Sequence, residues 1–325
     1  HSSNIIPIVR AVVGFTLFTA VFFPDTYQPL LDWTWSALRH WSVFRWSTFE
    51  TLWSVFWYAA IEVSMTVVFL NHPEWRLARQ HGSSSTERTK PRGMRRPSRR
   101  GYEALVHLIP ILTLDFTMVK KFADVPLRDI LQSGGYDDLE VGHSATFLIP
   151  SMHNFALHSP IQTNRALPLT APSSRRLALE LIGSLVVYDV LFFLFHLSMH
   201  VLPGLKAWHR PHHTHGEIHP QITNQLHALE RLGLVLLANF SLNIIGSHVL
   251  TRTVFVPVFI WMLVEIHCGL DLPWAYDKVL PSGWSGGARK HAAHHKEGSS
   301  GLAPYFNWCD AALKIVSPGV LRRSD

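Results

Sequence analysis

Charge is scarce in this chain. Asp, Glu, Lys and Arg make up 16% of its 325 residues, where soluble domains carry about 25%. Set against 47% hydrophobic residues, the shortfall argues against a soluble globular domain and points towards a bilayer. Cysteine is scarcer still. Cys268 and Cys309 are the only two, too few for a disulfide framework or a cysteine-based zinc site. No glycine-rich nucleotide-binding motif, no haem attachment motif and no internal repeat is found. What the chain has in plenty is aromatic rings, twelve Trp and nineteen Phe, which collect at bilayer interfaces. Histidine is the anomaly: there are 21, and 13 of them fall from His196 onward.

The net charge of +6 is local in origin. Arg76, Arg79, Arg88, Lys90, Arg92, Arg95, Arg96, Arg99 and Arg100 face only Glu87 across that stretch. A solvated loop held on the cytoplasmic face explains this run better than nucleic-acid binding does. Apolar stretches approach the roughly 20 residues that a membrane helix needs: 5–23, interrupted by Arg10; 51–70, containing Glu62; 177–195; and 232–250 with 254–266, a helical hairpin turned near Thr251-Arg252-Thr253. A shorter one, 104–119, holds Pro110 and Asp115 and either crosses or re-enters. The Trp-rich segment from Trp33 to Trp57 suits an interface. With the 71–101 loop in the cytosol, crossings at 104–119 and 177–195 return the chain to the cytosol at His196. The expected fold is all-α: an integral membrane protein with about four transmembrane helices and a cytosolic helical cap. Helices are required because each backbone polar group in lipid must be satisfied within its own segment.

Three histidine clusters stand out: His196-Leu-Ser-Met-His200, His209-Arg-Pro-His212-His213 and His291-Ala-Ala-His294-His295. Residues three and four apart share a helix face, so each cluster presents two or three imidazoles to one point. Imidazole suits iron, copper and zinc. Eight imidazoles exceed what one tetrahedral zinc can use and are about right for two metals. His227 and His267 stand where they complete the shells. Lone histidines in apolar or mixed surroundings (His40, His72, His81, His107, His143, His153, His158 and His248) read as structural, and His215 and His219 as ambiguous. A metal transporter would set its ionisable ligands mid-helix at the bilayer centre. These clusters stand at helix ends instead.

The order and spacing HxxxH, HxxHH, HxxHH resemble the fatty acid hydroxylase/sterol desaturase superfamily, over about residues 177–315. Three further segments are similar to its cholesterol 25-hydroxylase and C4-methylsterol oxidase branch: His267-Cys-Gly-Leu-Asp-Leu-Pro-Trp274, Pro281-Ser-Gly-Trp-Ser-Gly-Gly287 and Ala303-Pro-Tyr-Phe-Asn-Trp-Cys-Asp310. Cys268, Asn307-Trp308-Cys309 and Lys296-Glu297-Gly298 depart from the branch. The resemblance divides the chain into membrane helices over 1–176, with an extramembrane loop at 120–176, and a catalytic region over 177–325. It implies two iron ions, replaceable by zinc on purification, on His196, His200, His209, His212, His213, His291, His294 and His295, with His267 and His227. It also implies dioxygen as co-substrate, electrons from NADH or NADPH through cytochrome b5 and its reductase, and residence in the endoplasmic reticulum with the metal site facing the cytosol. The reaction it implies is hydroxylation of a sterol, terpenoid or other lipid-like molecule, with desaturation as the alternative. Asp189, Glu230, Asp271 and Asp310 are expected to accept N–H from ligating imidazoles. Trp274 and Trp308 either line the substrate path or anchor at the interface.

Overall fold

The computed structural model describes residues 5–77, 94–95, 101–135, 151–152, 161–214, 217–298 and 301–316. Most of the basic loop, including Arg79, Arg88, Lys90, Arg92, Arg96, Arg99 and Arg100, lies outside them, as do His81, His143, His153, His158 and His215. Nothing is described of the His107 side chain.

The described helices in chain order are α1 (Ile5–Phe22), α2 (Gln28–His40), α3 (Ser42–Arg45), α4 (Phe49–Asn71), α5 (Gly101–Thr117), α6 (Leu127–Ser133), α7 (Ser174–Val201), α8 (Pro203–His213), α9 (Ala228–Ile245), α10 (Val249–His267), α11 (Tyr276–Val279), α12 (Gly287–Glu297) and α13 (Trp308–Val316). The two-residue strands β1 (Met118–Val119) and β2 (Ser151–Met152) pair antiparallel. Among the described residues five helices, α1, α4, α7, α9 and α10, are long and apolar enough to cross a membrane, against an expectation of about four. The 28 residues of α7 rise about 42 Å, so this helix outreaches the roughly 30 Å hydrocarbon layer. The overhang carries His196 and His200 to the end of the bundle.

α7 is the central helix, packed by α1, α9 and α10, while α10 also packs on α4. Gly233 lets α9 approach α7 closely, since a Cβ there would lie 2.8 Å from the Phe195 ring. One apolar core lies between α4 and α10 around Met65, Phe69, Ile260 and Val264. A second lies between α7, α9 and α10 around Tyr188, Phe192, Leu234, Met262 and Ile266. The outer faces are apolar too: Ile8, Phe15, Phe56, Leu194 and Ile244 are exposed. Such faces belong against lipid, not water.

The end opposite His196 is held by charge. The Arg252 guanidinium donates to Glu50 at 2.9 and 3.2 Å, to Asn243 Oδ1 at 2.9 Å and to Asn239 Oδ1 at 2.7 Å. Arg165 donates to the same Glu50 at 3.1 Å. This bonding corrects the expected hairpin turn at Thr251-Arg252-Thr253. Those residues are helical, because the Arg252 charge is spent inside the bundle. The turn falls at Gly246, which takes the left-handed φ of 70° that glycine tolerates. His248 then caps α10, its Nδ1 accepting from the Leu250 N–H at 3.0 Å. Trp35 likewise departs from the interfacial expectation: it is buried beside Phe44 and His248.

Candidate metal centre

Four elements bring nine imidazoles to one end of the bundle. The last two turns of α7 carry His196 and His200, four apart and therefore on one face. α8 opens on Pro203, whose fixed φ suits a first helical turn, and presents His209, His212 and His213. α10 ends on His267, and α12 presents His291, His294 and His295. After His267 the chain must turn sharply. Gly269 does this at φ +69°, and a Cβ there would sit 2.0 Å from the Ile218 carbonyl oxygen.

The ε nitrogens converge in two groups. In the first, His196 Nε2 lies 3.0 Å from that of His209, 3.3 Å from that of His200 and 3.2 Å from that of His294. His213 Nε2 lies 2.9 Å from that of His209. In the second, His267 Nε2 lies 3.3 Å from that of His212 and 2.8 Å from that of His291, which is 3.1 Å from that of His295. Within each group the converging nitrogens lie within 4.8 Å of one another. The groups abut, with His213 and His295 stacked at 4.8 Å and the His209 and His212 rings 5.4 Å apart.

Tautomers decide what this convergence means. A neutral imidazole has one N–H and one lone pair. His196 Nδ1 meets the Leu302 carbonyl at 2.8 Å, His267 Nδ1 the Leu263 carbonyl at 2.8 Å, and His209 Nδ1 the Glu230 carboxylate at 2.7 Å. A carbonyl oxygen only accepts, so His196 and His267 carry the proton on Nδ1 and turn the Nε2 lone pair inward, and Glu230 in its ionised form fixes His209 in the same way. His196 and His209 then point lone pairs at one another across 3.0 Å, which repels unless a cation stands among them. The donor set therefore fits metal ions. Burial, reinforced by the facing imidazoles, pushes His209, His212 and His291 well below the ordinary imidazole range, which keeps them neutral and able to ligate.

A cavity opens beside both groups. His196, His209, His212, His267 and His291 line it with Glu230 and Thr223, and its remaining wall is apolar: Phe192, Leu226, Leu234 and Leu263.

Two expectations about the site are corrected. His227 is not brought to either group. It is an exposed residue at the start of α9, where its Nδ1 accepts from the Leu229 N–H at 3.3 Å and its ring stacks on Trp208. A side-chain acceptor there satisfies an orphan amide of the first turn. Of the four carboxylates, only Glu230 bonds a clustered histidine. Asp271 pairs with Lys278 at 2.8 Å and Arg289 at 2.6 Å, and these cations hold its carboxyl below the usual carboxylate range. Asp189 and Asp310 accept from backbone amides and from Trp308 and Lys290. His219 is buried but belongs to neither group. The Leu302 and Leu263 carbonyls escaped the sequence reading. Leu263 stands four residues before His267, so helical spacing was a usable signal for it; nothing in the sequence marks Leu302.

Residues 181–314 match the family model described as Fatty acid hydroxylase. A cholesterol 25-hydroxylase-like protein of Danio rerio is 36% identical over 141 residues, which cover 43% of this chain and 56% of the relative. Cholesterol 25-hydroxylase of Homo sapiens is 32% identical over 148 residues, 45% of this chain and 54% of the relative. Methylsterol monooxygenase 1-3 of Arabidopsis thaliana is 29% identical over 139 residues, 41% of this chain and 47% of the relative. The chain spans about half the length of the curated relatives it matches. No solved structure matches it. The superfamily and both of its branches are those that the histidine clusters and C-terminal motifs pointed to.

Proposed function

We propose that this chain, which carries a fatty acid hydroxylase domain over residues 181–314, is a membrane di-iron monooxygenase that hydroxylates a C–H bond of a sterol, terpenoid or similar lipid. The observation that carries the reading is the convergence of nine Nε2 atoms in two abutting groups beside an apolar-walled cavity. His196, His200, His209, His213 and His294 would hold one ion, and His212, His267, His291 and His295 the other. Five nitrogen donors in one group exceed a tetrahedral zinc shell, and imidazole is an ordinary iron ligand. Bound iron supplies the reducing centre for dioxygen. The balance is R–H + O2 + 2 e⁻ + 2 H⁺ → R–OH + H2O.

The protein's own part is positioning. Phe192, Leu226, Leu234 and Leu263 hold an apolar carbon against the histidine face and keep water from it. Glu230 orients His209. With no nucleotide motif in the chain, the two electrons come from a separate protein, for which cytochrome b5 and its NAD(P)H reductase are the proposed donors. Exposed Lys206, Arg210, Arg289 and Lys296 at the histidine end suit an acidic donor. Arg76 and Arg95, the described ends of the basic run, also lie at this end: Arg76 pairs with Leu270 and the Arg95 N–H meets Gln221. By the positive-inside rule this end faces the cytosol, and the proposed membrane is the endoplasmic reticulum.

The test is purification of the full chain in detergent, metal analysis, and turnover with a sterol panel, reductant and Fe(II). About two irons per chain and a product heavier by one oxygen are expected. A product lighter by two hydrogens would turn the reading to a desaturase. A well-folded sample that binds no metal would end it.

A further inference from the structure

Among the described residues neither Asp189 nor Asp310 hydrogen-bonds any of the nine histidines, yet both are buried and both bond the same segment. Between α12 and α13 the chain doubles back over the histidine end as a strap running from Gly301 to Asn307. Leu302 of this strap gives its carbonyl to His196 Nδ1 at 2.8 Å. The Leu302 N–H donates to Asp310 Oδ1 at 2.9 Å, and the Ala303 N–H to Asp310 Oδ2 at 3.4 Å. Further along, the Tyr305 and Phe306 N–H groups donate to Asp189 Oδ1 at 2.8 and 3.1 Å, and the Trp308 indole donates to Asp189 Oδ2 at 3.1 Å. Asp310 also accepts from Lys290, the neighbour of His291, which ties the strap to α12.

A carboxylate inside a membrane helix is costly unless its oxygens are bonded. Asp189 stands seven residues, about two turns, before His196 on α7; its Oδ1 is spent on the strap and its Oδ2 on the Trp308 indole at the start of α13. The two carboxylates therefore pin the strap on either side of Ala303–Pro304, and the group that this pins in place is the carbonyl fixing the His196 tautomer. We infer that Asp189 and Asp310 are positioning residues for the five-histidine group, acting through the Leu302 carbonyl to hold His196 Nε2 towards a bound ion. The inference rests on the proposal that this group holds a metal.

The test uses the full chain, stripped of metal in detergent and titrated with Co(II), whose visible absorption distinguishes ligand sets. The wild type is expected to take two ions. Asp310→Asn and Asp189→Asn set an amide NH2 among the N–H donors, and each should weaken one binding step by about 10–100-fold and spare the other. His196→Ala should strike the same step. Trp308→Phe, which deletes only the indole bond, should weaken that step a few-fold, and this variant keeps the test decisive if an Asp variant does not fold. Unchanged affinity in the folded variants, or equal loss of both steps with a lowered melting temperature, overturns the positioning role while the two-ion wild type leaves the metal reading standing. A wild type that binds no cobalt overturns both.

Discussion

Glu230→Gln and Glu230→Leu grade the loss of one interaction. The carboxylate accepts the His209 Nδ1–H at 2.7 Å, with both residues buried. A hydrogen bond to a charged group contributes about 1.5–3 kcal/mol. If that is lost only from the state in which His209 ligates, the dissociation constant of the five-histidine ion rises roughly 10–150-fold, at about 1.4 kcal/mol per tenfold. Gln keeps one acceptor oxygen and should fall near the lower end, whereas Leu keeps none and should fall near the upper. The second oxygen, Oε2, is buried with no hydrogen-bond partner among the described residues. Leu therefore removes desolvation cost along with bonding, and the metal-free melting temperature should hold within a few degrees. The assay is competition for Co(II) against a chelator of known affinity, with melting of the stripped protein alongside. An equal shift of both ions, or no shift with Leu, refutes the assignment of His209 to one group and the role given to Glu230.

His294→Ala and His295→Ala change adjacent residues of one helix that face different groups; each should remove a different one of two Co(II) absorption features, and loss of the same feature in both would merge the groups. Glu50→Gln breaks the anchor of Arg252 and Arg165 and should cost about 3 kcal/mol, lowering the melting temperature by roughly 6–12 °C. Metal content per folded molecule should stay at the wild-type value, since that anchor is at the opposite end; a metal loss without unfolding would contradict this. Gly269→Ala forces a side chain into left-handed backbone, at about 1–2 kcal/mol, and against the Ile218 carbonyl besides. Its expected outcome is a sharp fall in folded yield on size-exclusion chromatography, and a wild-type yield would show that the 267–270 turn is not needed.

The membrane class was legible because apolar length and charge scarcity are properties of the chain itself. The histidines were legible for the same reason: spacings of three and four place His209, His212 and His213, or His291, His294 and His295, on one helix face whatever the helix packs against. Boundaries near charges were harder. Arg252 read as a turn because a cation at a hairpin end normally meets water, and only the fold supplies Glu50 from about 200 positions away to bury it. His227 read as a possible ligand because nearness in sequence to the clusters resembles nearness in space. Its side chain instead satisfies the first turn of α9.

What the sequence by itself determined was local chemistry: an all-helical chain for lipid, three sets of imidazoles, and motifs similar to sterol-oxidising proteins. The tertiary structure alone decided how those imidazoles are shared. Neighbours such as His212 and His213, or His294 and His295, differ by about 100° around their helix and so fall to different groups. It also decided which oxygens hold the rings. Among the described residues two of the three are backbone carbonyls, and every residue carries one, so no pattern of side chains can mark Leu302 as the partner of His196. In the fold, Asp189 and Asp310 bond the strap that carries that carbonyl.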